Sequence, residues 1–246
     1  VNVSLRYWRT TEVMFAQSFL NKFTPANAGG MALRTRYLQR NGVSLVTAAS
    51  AIGITSGASG VMQVIMAFTF FTWAGSDDTG GGFSLPSLTS IAIIVVLIAV
   101  VLGIAWATTW GRRNLLKAWE SIVSAAGDVR ELATQPTKLL LLFGGAGLAK
   151  LATILALAQT MRAFGLEVDF PALGAMYITA TTVAAAAPTP GGVGAIEAAL
   201  TAGLIGMGVD AGQAAAVVLV FRTFTYWLPI APCWGFFQKL QHEELL

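Results

Sequence analysis

An all-α, polytopic integral membrane protein with two re-entrant, broken helical hairpins is the fold class this sequence predicts, on three observations. The first is composition: of 246 residues, 55% are hydrophobic and only 11% are charged, with a mean hydropathy of +0.69, whereas an ordinary soluble domain is about 25% charged. The second is the gathering of apolar residues into runs long enough to cross a bilayer, about 20 residues each. The third is a pair of breaks, Thr24-Pro25-Ala26-Asn27-Ala28-Gly29 and Thr189-Pro190-Gly191-Gly192-Val193-Gly194. Both fit Thr-Pro-x-x-x-Gly and relate the hairpins as internal repeats. In each, the threonine can cap a helix and the proline can be its first residue, so a half-helix is expected to start there. Such a start inside a bilayer offers unpaired N–H groups and the positive end of a helix dipole to an anion.

Soluble alternatives fail on missing positions. A phosphate loop needs Lys followed by Ser or Thr after the glycines, where Ala195 and Ile196 stand, and the glycine spacing and strand flanks of a dinucleotide site are absent. The net charge of +3 is small and the basic residues flank apolar runs, a topology signal rather than a nucleic-acid footprint. A single cysteine, Cys233, excludes an internal disulfide, and with His242 as the single histidine neither a metal site nor a cofactor is expected. The chain opens on Val1 with no signal-peptide pattern, so residues 1–246 read as one transmembrane domain from which earlier N-terminal spans are missing.

Taken in order, residues 1–11 carry Arg6, Tyr7, Trp8 and Arg9, an interfacial mixture leading into the membrane. Residues 13–23 are apolar but too short to span, and they run into the first break. The return arm, 31–38, ends among Arg34, Arg36 and Arg40, which places it on the cytoplasmic side. Residues 43–73 read as one crossing, broken near Gly57, with Gly53, Gly57 and Gly60 as close-packing surfaces. Residues 75–86 hold Asp77 and Asp78 and no basic residue, as expected outside, and 87–110 return the chain to the cytoplasm. There 111–138 form a connector in which Leu115, Trp119, Ile122, Ala126 and Val129 recur at helical steps, predicting an amphipathic helix on the membrane surface. Residues 139–162 cross again with Lys150 near the middle. Residues 172–187 enter from outside, the second break lies at depth, and 195–207 lead back to a polar turn at Asp210. Residues 214–234 cross inward with Arg222 embedded, leaving Lys239 and His242 at a cytoplasmic C-terminus.

Three ionisable residues thus fall in apolar segments: Lys150, Glu197 and Arg222. Each costs about 2.5–3.5 kcal/mol at the bilayer centre unless paired or hydrated. One carboxylate cannot neutralise two cations, so the surplus predicts an enclosed anion site. Its expected holders are Arg222, Lys150 and Arg34, between Thr24, Pro25 and Gly29 of the first break and Thr189, Pro190, Gly191, Gly192 and Gly194 of the second, with Glu197 setting the charge balance. The plainer reading is a structural network in which Glu197 neutralises one base and favours the start of its own helix. No histidine stands in the apolar segments to activate a nucleophile, and no carboxylates are paired there, so an enzyme is not expected.

Residues 190–194, Pro-Gly-Gly-Val-Gly, with Glu197 and Ala198-Ala199 behind them, resemble the signature of the flippase-like transmembrane domain of lysylphosphatidylglycerol synthases. Residues 21–34, with Pro25, Ala28, Gly29 and Arg34, resemble the same family's earlier motif. The resemblance covers nearly all of the chain. It implies a transporter-like domain, found alone or fused to cytoplasmic transferase domains, that moves phospholipids or polyprenyl-linked lipids between leaflets of the bacterial plasma membrane. The expected function is therefore a lipid flippase or lipid-binding transport domain. The alternative is a non-transporting membrane subunit that positions a lipid for a partner enzyme or transporter complex. Expected partners are membrane lipids with anionic headgroups and a membrane protein or second copy of the chain, not nucleic acid. The chain departs from the family pattern at Gly30, where an acidic residue is usual, and around residues 55–60, where small and apolar residues replace an acidic–basic pair. Both departures point to a divergent substrate or an accessory role.

Overall fold

The computed structural model describes residues 5–24, 27–75, 135–185, 187 and 189–243. Among them all regular structure is helical and there is no strand. Three stretches are long and apolar enough to cross a membrane: Leu45–Ala74, Pro136–Ala163 and Ala211–His242. The expected outer loop, the span at 87–110, most of the amphipathic connector and Pro25 lie outside the described residues.

The first hairpin consists of α1 (Tyr7–Phe23) and α2 (Ala28–Arg40). The long helix α3 (Leu45–Ala74) starts at Ser44, whose hydroxyl accepts the Thr47 N–H, and it runs unbroken through Gly57. The expected break fails because a lone glycine costs a helix only about 1 kcal/mol and removes no hydrogen bond. Nor do Gly53, Gly57 and Gly60 provide close packing against described residues, none of which lies within 4 Å of a Cβ built there. Tight packing falls to Gly174 instead, where a Cβ would stand 2.2 Å from the Phe70 ring, joining α3 to α5.

Helix α4 (Pro136–Ala163) has proline in its first turn, where the missing N–H is harmless. The second hairpin pairs α5 (Phe170–Ala184) with α6 (Ala195–Gly206). Asp210 then caps α7 (Ala211–Arg222) by accepting from Gly212 and Gln213 N–H groups. A π-helical turn, Thr223–Trp227, leads into α8 (Ile230–His242). That turn sits just ahead of Pro229, which cannot donate to the ladder and crowds the preceding turn; a widened turn accommodates both.

The main core forms where α4, α5, α6 and α7 meet, around Leu157, Met161, Leu173, Leu200, Leu204 and Val217. A smaller core of Val13, Ala16, Leu33, Tyr37 and Leu240 fastens the first hairpin to α8. The first hairpin therefore lies along α8 and the second along α7, and their tips meet beside the π turn.

One buried charge sits far from that meeting point. Glu12 of α1 is 1% exposed. Its carboxylate takes Lys239 Nζ at 2.5 Å and lies 3.7 Å from Arg9, which also pairs with Glu243. Lys239→Met is expected to lower stability by about 3 kcal/mol, because it leaves a buried carboxylate with one distant partner. Glu12→Gln should cost clearly less, since Lys239 and Arg9 are exposed enough to hydrate. Thermal unfolding in detergent measures both, and equal losses would remove the role assigned to Glu12 burial.

Candidate functional site

The first break is built by side chains that replace helical partners. The Thr24 hydroxyl donates to the Leu20 carbonyl at 2.8 Å and accepts the Gly29 N–H at 3.0 Å, while Asn21 Oδ1 accepts the Gly30 N–H at 3.0 Å. Thr24 thus serves α2 from outside, and the N-cap is Asn27, in the left-handed region at φ 58°. This corrects the expectation of a helix capped by Thr24 and started by Pro25. Asparagine tolerates that backbone region, which lets α2 begin at Ala28. A Cβ on Gly30 would lie 2.1 Å from Asn21 Oδ1, so the acidic residue usual there has no room beside this asparagine.

The second break departs in the same way. Thr189 is extended, the conformation favoured before a proline, and Pro190–Gly192 makes a short 3-10 turn rather than the start of α6. Gly191 and Gly192 have φ of 59° and 71°, and Gly194, at φ 83°, is the actual N-cap. Glu197 accepts the Gly194 N–H at 2.7 Å, so the carboxylate completes the helix start. The Thr189 hydroxyl is buried without a partner.

The two tips interlock through Tyr226 of the π turn. Its hydroxyl donates to the Lys22 carbonyl at 2.9 Å, and Lys22 Nζ donates to the Tyr226 carbonyl at 2.7 Å. Lys22 Nζ lies 4.1 Å and Arg222 Cζ 4.2 Å from the centroid of the Tyr226 ring, both within cation–π range. Arg222 Nε donates to Glu197 Oε1 at 2.6 Å, and Arg222 Nη2 is buried without a partner. Between the tips lies a cleft of about 440 Å³, whose walls include Asn21, Lys22, Thr24, Thr189, Gly191 and Tyr226.

The structure therefore brings together Thr24, Thr189, Gly191 and Gly192 on the cleft wall, with Pro190, Gly194, Glu197 and Arg222 adjoining it. Gly29 lies behind Thr24. It places two expected cations elsewhere. Lys150 donates to Gln63 Oε1, and the Gln63 amide donates to Thr182 at 2.9 Å, a polar link from α4 through α3 to α5. Arg34 Nη1 reaches Thr55 of α3 at 3.2 Å. The cation on the wall is Lys22, which sequence reasoning missed although it stands in a short apolar run two residues ahead of the break. Tyr226 carried a fainter signal, its position one helical turn after Arg222.

A family model described as the lysylphosphatidylglycerol synthase TM region matches residues 1–233. No curated protein sequence and no solved structure matches the chain. With nearly its whole length covered and three helices fit to cross a membrane, the chain is a membrane protein that belongs to the lysylphosphatidylglycerol synthase transmembrane-region family.

Proposed function

We propose that this chain is a lipid flippase or lipid-binding transport domain, which holds the phosphate of a phospholipid or polyprenyl-linked lipid between the two hairpin tips and passes it between leaflets of a bacterial plasma membrane. The observation that carries the reading is the convergence of both breaks on one cleft beside Lys22 and the Arg222–Glu197 pair. Two cations against one carboxylate leave a positive surplus there, and the starts of α2 and α6 add positive partial charge. Beside Glu197, an apolar groove between α6 and α7, walled by Ala198, Thr201, Ala215 and Val218, has room for an acyl chain.

Length supports re-entrance. Helices α1, α2, α5 and α6 have 17, 13, 15 and 12 residues, which at about 1.5 Å per residue fall short of a hydrocarbon core of about 30 Å. Each hairpin then enters and leaves on one side, and the two, lying along opposite ends of the α7–α8 rod, enter from opposite faces as inverted repeats. Arg34, Arg36 and Arg40 at the end of α2, with Lys239 and His242 at the end of α8, support a cytoplasmic base for the first hairpin and a cytoplasmic C-terminus. A headgroup between the tips would lie within reach of both leaflets. We read the domain as a carrier on the convergence of both breaks and Lys22 on one cleft.

Proteoliposomes holding the purified chain and a fluorescent phospholipid test this. Exchange of the labelled lipid between leaflets, lost on Gly192→Leu, is the expected result. Retention of lipid without exchange would support the alternative of a subunit that positions lipid for a partner, and absence of both would overturn the reading.

A further inference from the structure

A threonine inside a helix can satisfy its own hydroxyl by donating to a backbone carbonyl one turn back. Thr160, Thr179, Thr181, Thr182 and Thr225 all do so, each to the carbonyl four residues earlier at 2.7–2.9 Å. Thr201, in the middle of α6, does not. Its counterpart four residues back is the Glu197 carbonyl, yet the Thr201 hydroxyl makes no hydrogen bond with any described residue. Thr201 instead lines the apolar groove between α6 and α7, together with Ala198, Ala202, Ala215 and Val218.

That groove adjoins the headgroup cleft. Ile196 lines the cleft and Glu197, the next residue, lines the groove, so the Glu197–Arg222 pair stands where the two meet. From there Thr201 is four residues further along α6, a rise of about 6 Å. Hydrocarbon offers a hydroxyl no acceptor, and a polar group left unpaired in it costs free energy. A glycerolipid whose phosphate sits in the cleft brings an acceptor of its own into the groove, the ester carbonyl that joins an acyl chain to glycerol.

We infer that the α6–α7 groove is the subsite for one ester-linked acyl chain of the lipid, with the Thr201 hydroxyl donating to the ester carbonyl. The inference rests on the lipid-carrier reading above and adds to it a residue that reads how the chain is joined to the headgroup. An ether-linked or polyprenyl chain would fill the same groove but leave the hydroxyl unpaired, which is the source of discrimination.

The test compares two phosphatidylglycerols of equal chain length, one diester and one diether, bound to the whole chain in dodecyl maltoside micelles and read by native mass spectrometry. The diester is expected to bind about fivefold more tightly, the scale of one neutral hydrogen bond. Thr201→Val keeps the shape and removes the donor, so it should erase the difference, whereas Thr201→Ser should keep it. Ala202→Phe, which fills the groove from its exposed side, should weaken both lipids together. Equal affinity of the parent chain for diester and diether, or a preference that survives Thr201→Val, would overturn the role of Thr201. Undiminished binding of both lipids to Ala202→Phe would overturn the groove as the place of the chain. Retention of a polyprenyl phosphate but of neither phosphatidylglycerol would overturn this inference and leave the carrier reading standing. Retention of none of the three would overturn both.

Discussion

Gly191→Ala is expected to lower stability by about 2–3 kcal/mol and to abolish lipid retention, combining left-handed backbone strain with a lost buried hydrogen bond. At φ 59° the backbone already disfavours a side chain. A Cβ there would stand 2.2 Å from the Tyr226 hydroxyl and 2.7 Å from the Lys22 carbonyl, the donor and acceptor of one bond. Alanine therefore must separate the second tip from the first, and the cleft wall with it. Gly42→Ala separates the two causes: φ is 82° there, but no described residue lies within 4 Å of the new Cβ. It should cost about 1 kcal/mol, the strain alone. Melting temperatures of both variants in detergent, read beside retained phosphatidylglycerol, decide the matter. Equal losses would mean that the junction between the tips contributes nothing.

The same junction shows what was legible in the sequence. Proline and glycine impose their backbone demands locally, so both breaks, and the helices on either side, could be placed from residue type alone. Cap identity could not, because Thr24 acts across the break on Gly29 and Gly194 displaces Thr189 as N-cap once Glu197 folds back on it. The charges in apolar segments stand out by residue type, yet their pairing depends on which helix faces meet. Glu197 does neutralise one base, Arg222, in line with the plainer reading of a structural network. Lys150 and Arg34 turn to Gln63 and Thr55, partners on α3 that no spacing in α4 or α2 could reveal. Lys22 and Glu12 were each hidden in α1 by apolar neighbours, although a single ionisable residue in such a run is itself a signal.

Glu197→Gln should be the most damaging single change at the site, because it strands Arg222. The arginine side chain is 8% exposed and its Nη2 already lacks a partner, so the glutamine variant leaves a buried cation facing a neutral amide. Removing one partner of a buried pair costs about 3–5 kcal/mol. Arg222→Met is expected to cost less, since Glu197 retains the Gly194 N–H and the positive start of α6. The double variant, Glu197→Gln with Arg222→Met, should then be more stable than Glu197→Gln alone, with a coupling of about 1–3 kcal/mol in a double-mutant cycle. Lipid retention in the folded double variant separates structure from function. If Arg222 contributes its free Nη2 to the phosphate, the double variant folds but holds phosphatidylglycerol more weakly than the parent chain. Undiminished retention would leave the Arg222–Glu197 pair as scaffolding for the π turn, and Lys22 as the cation that carries the site.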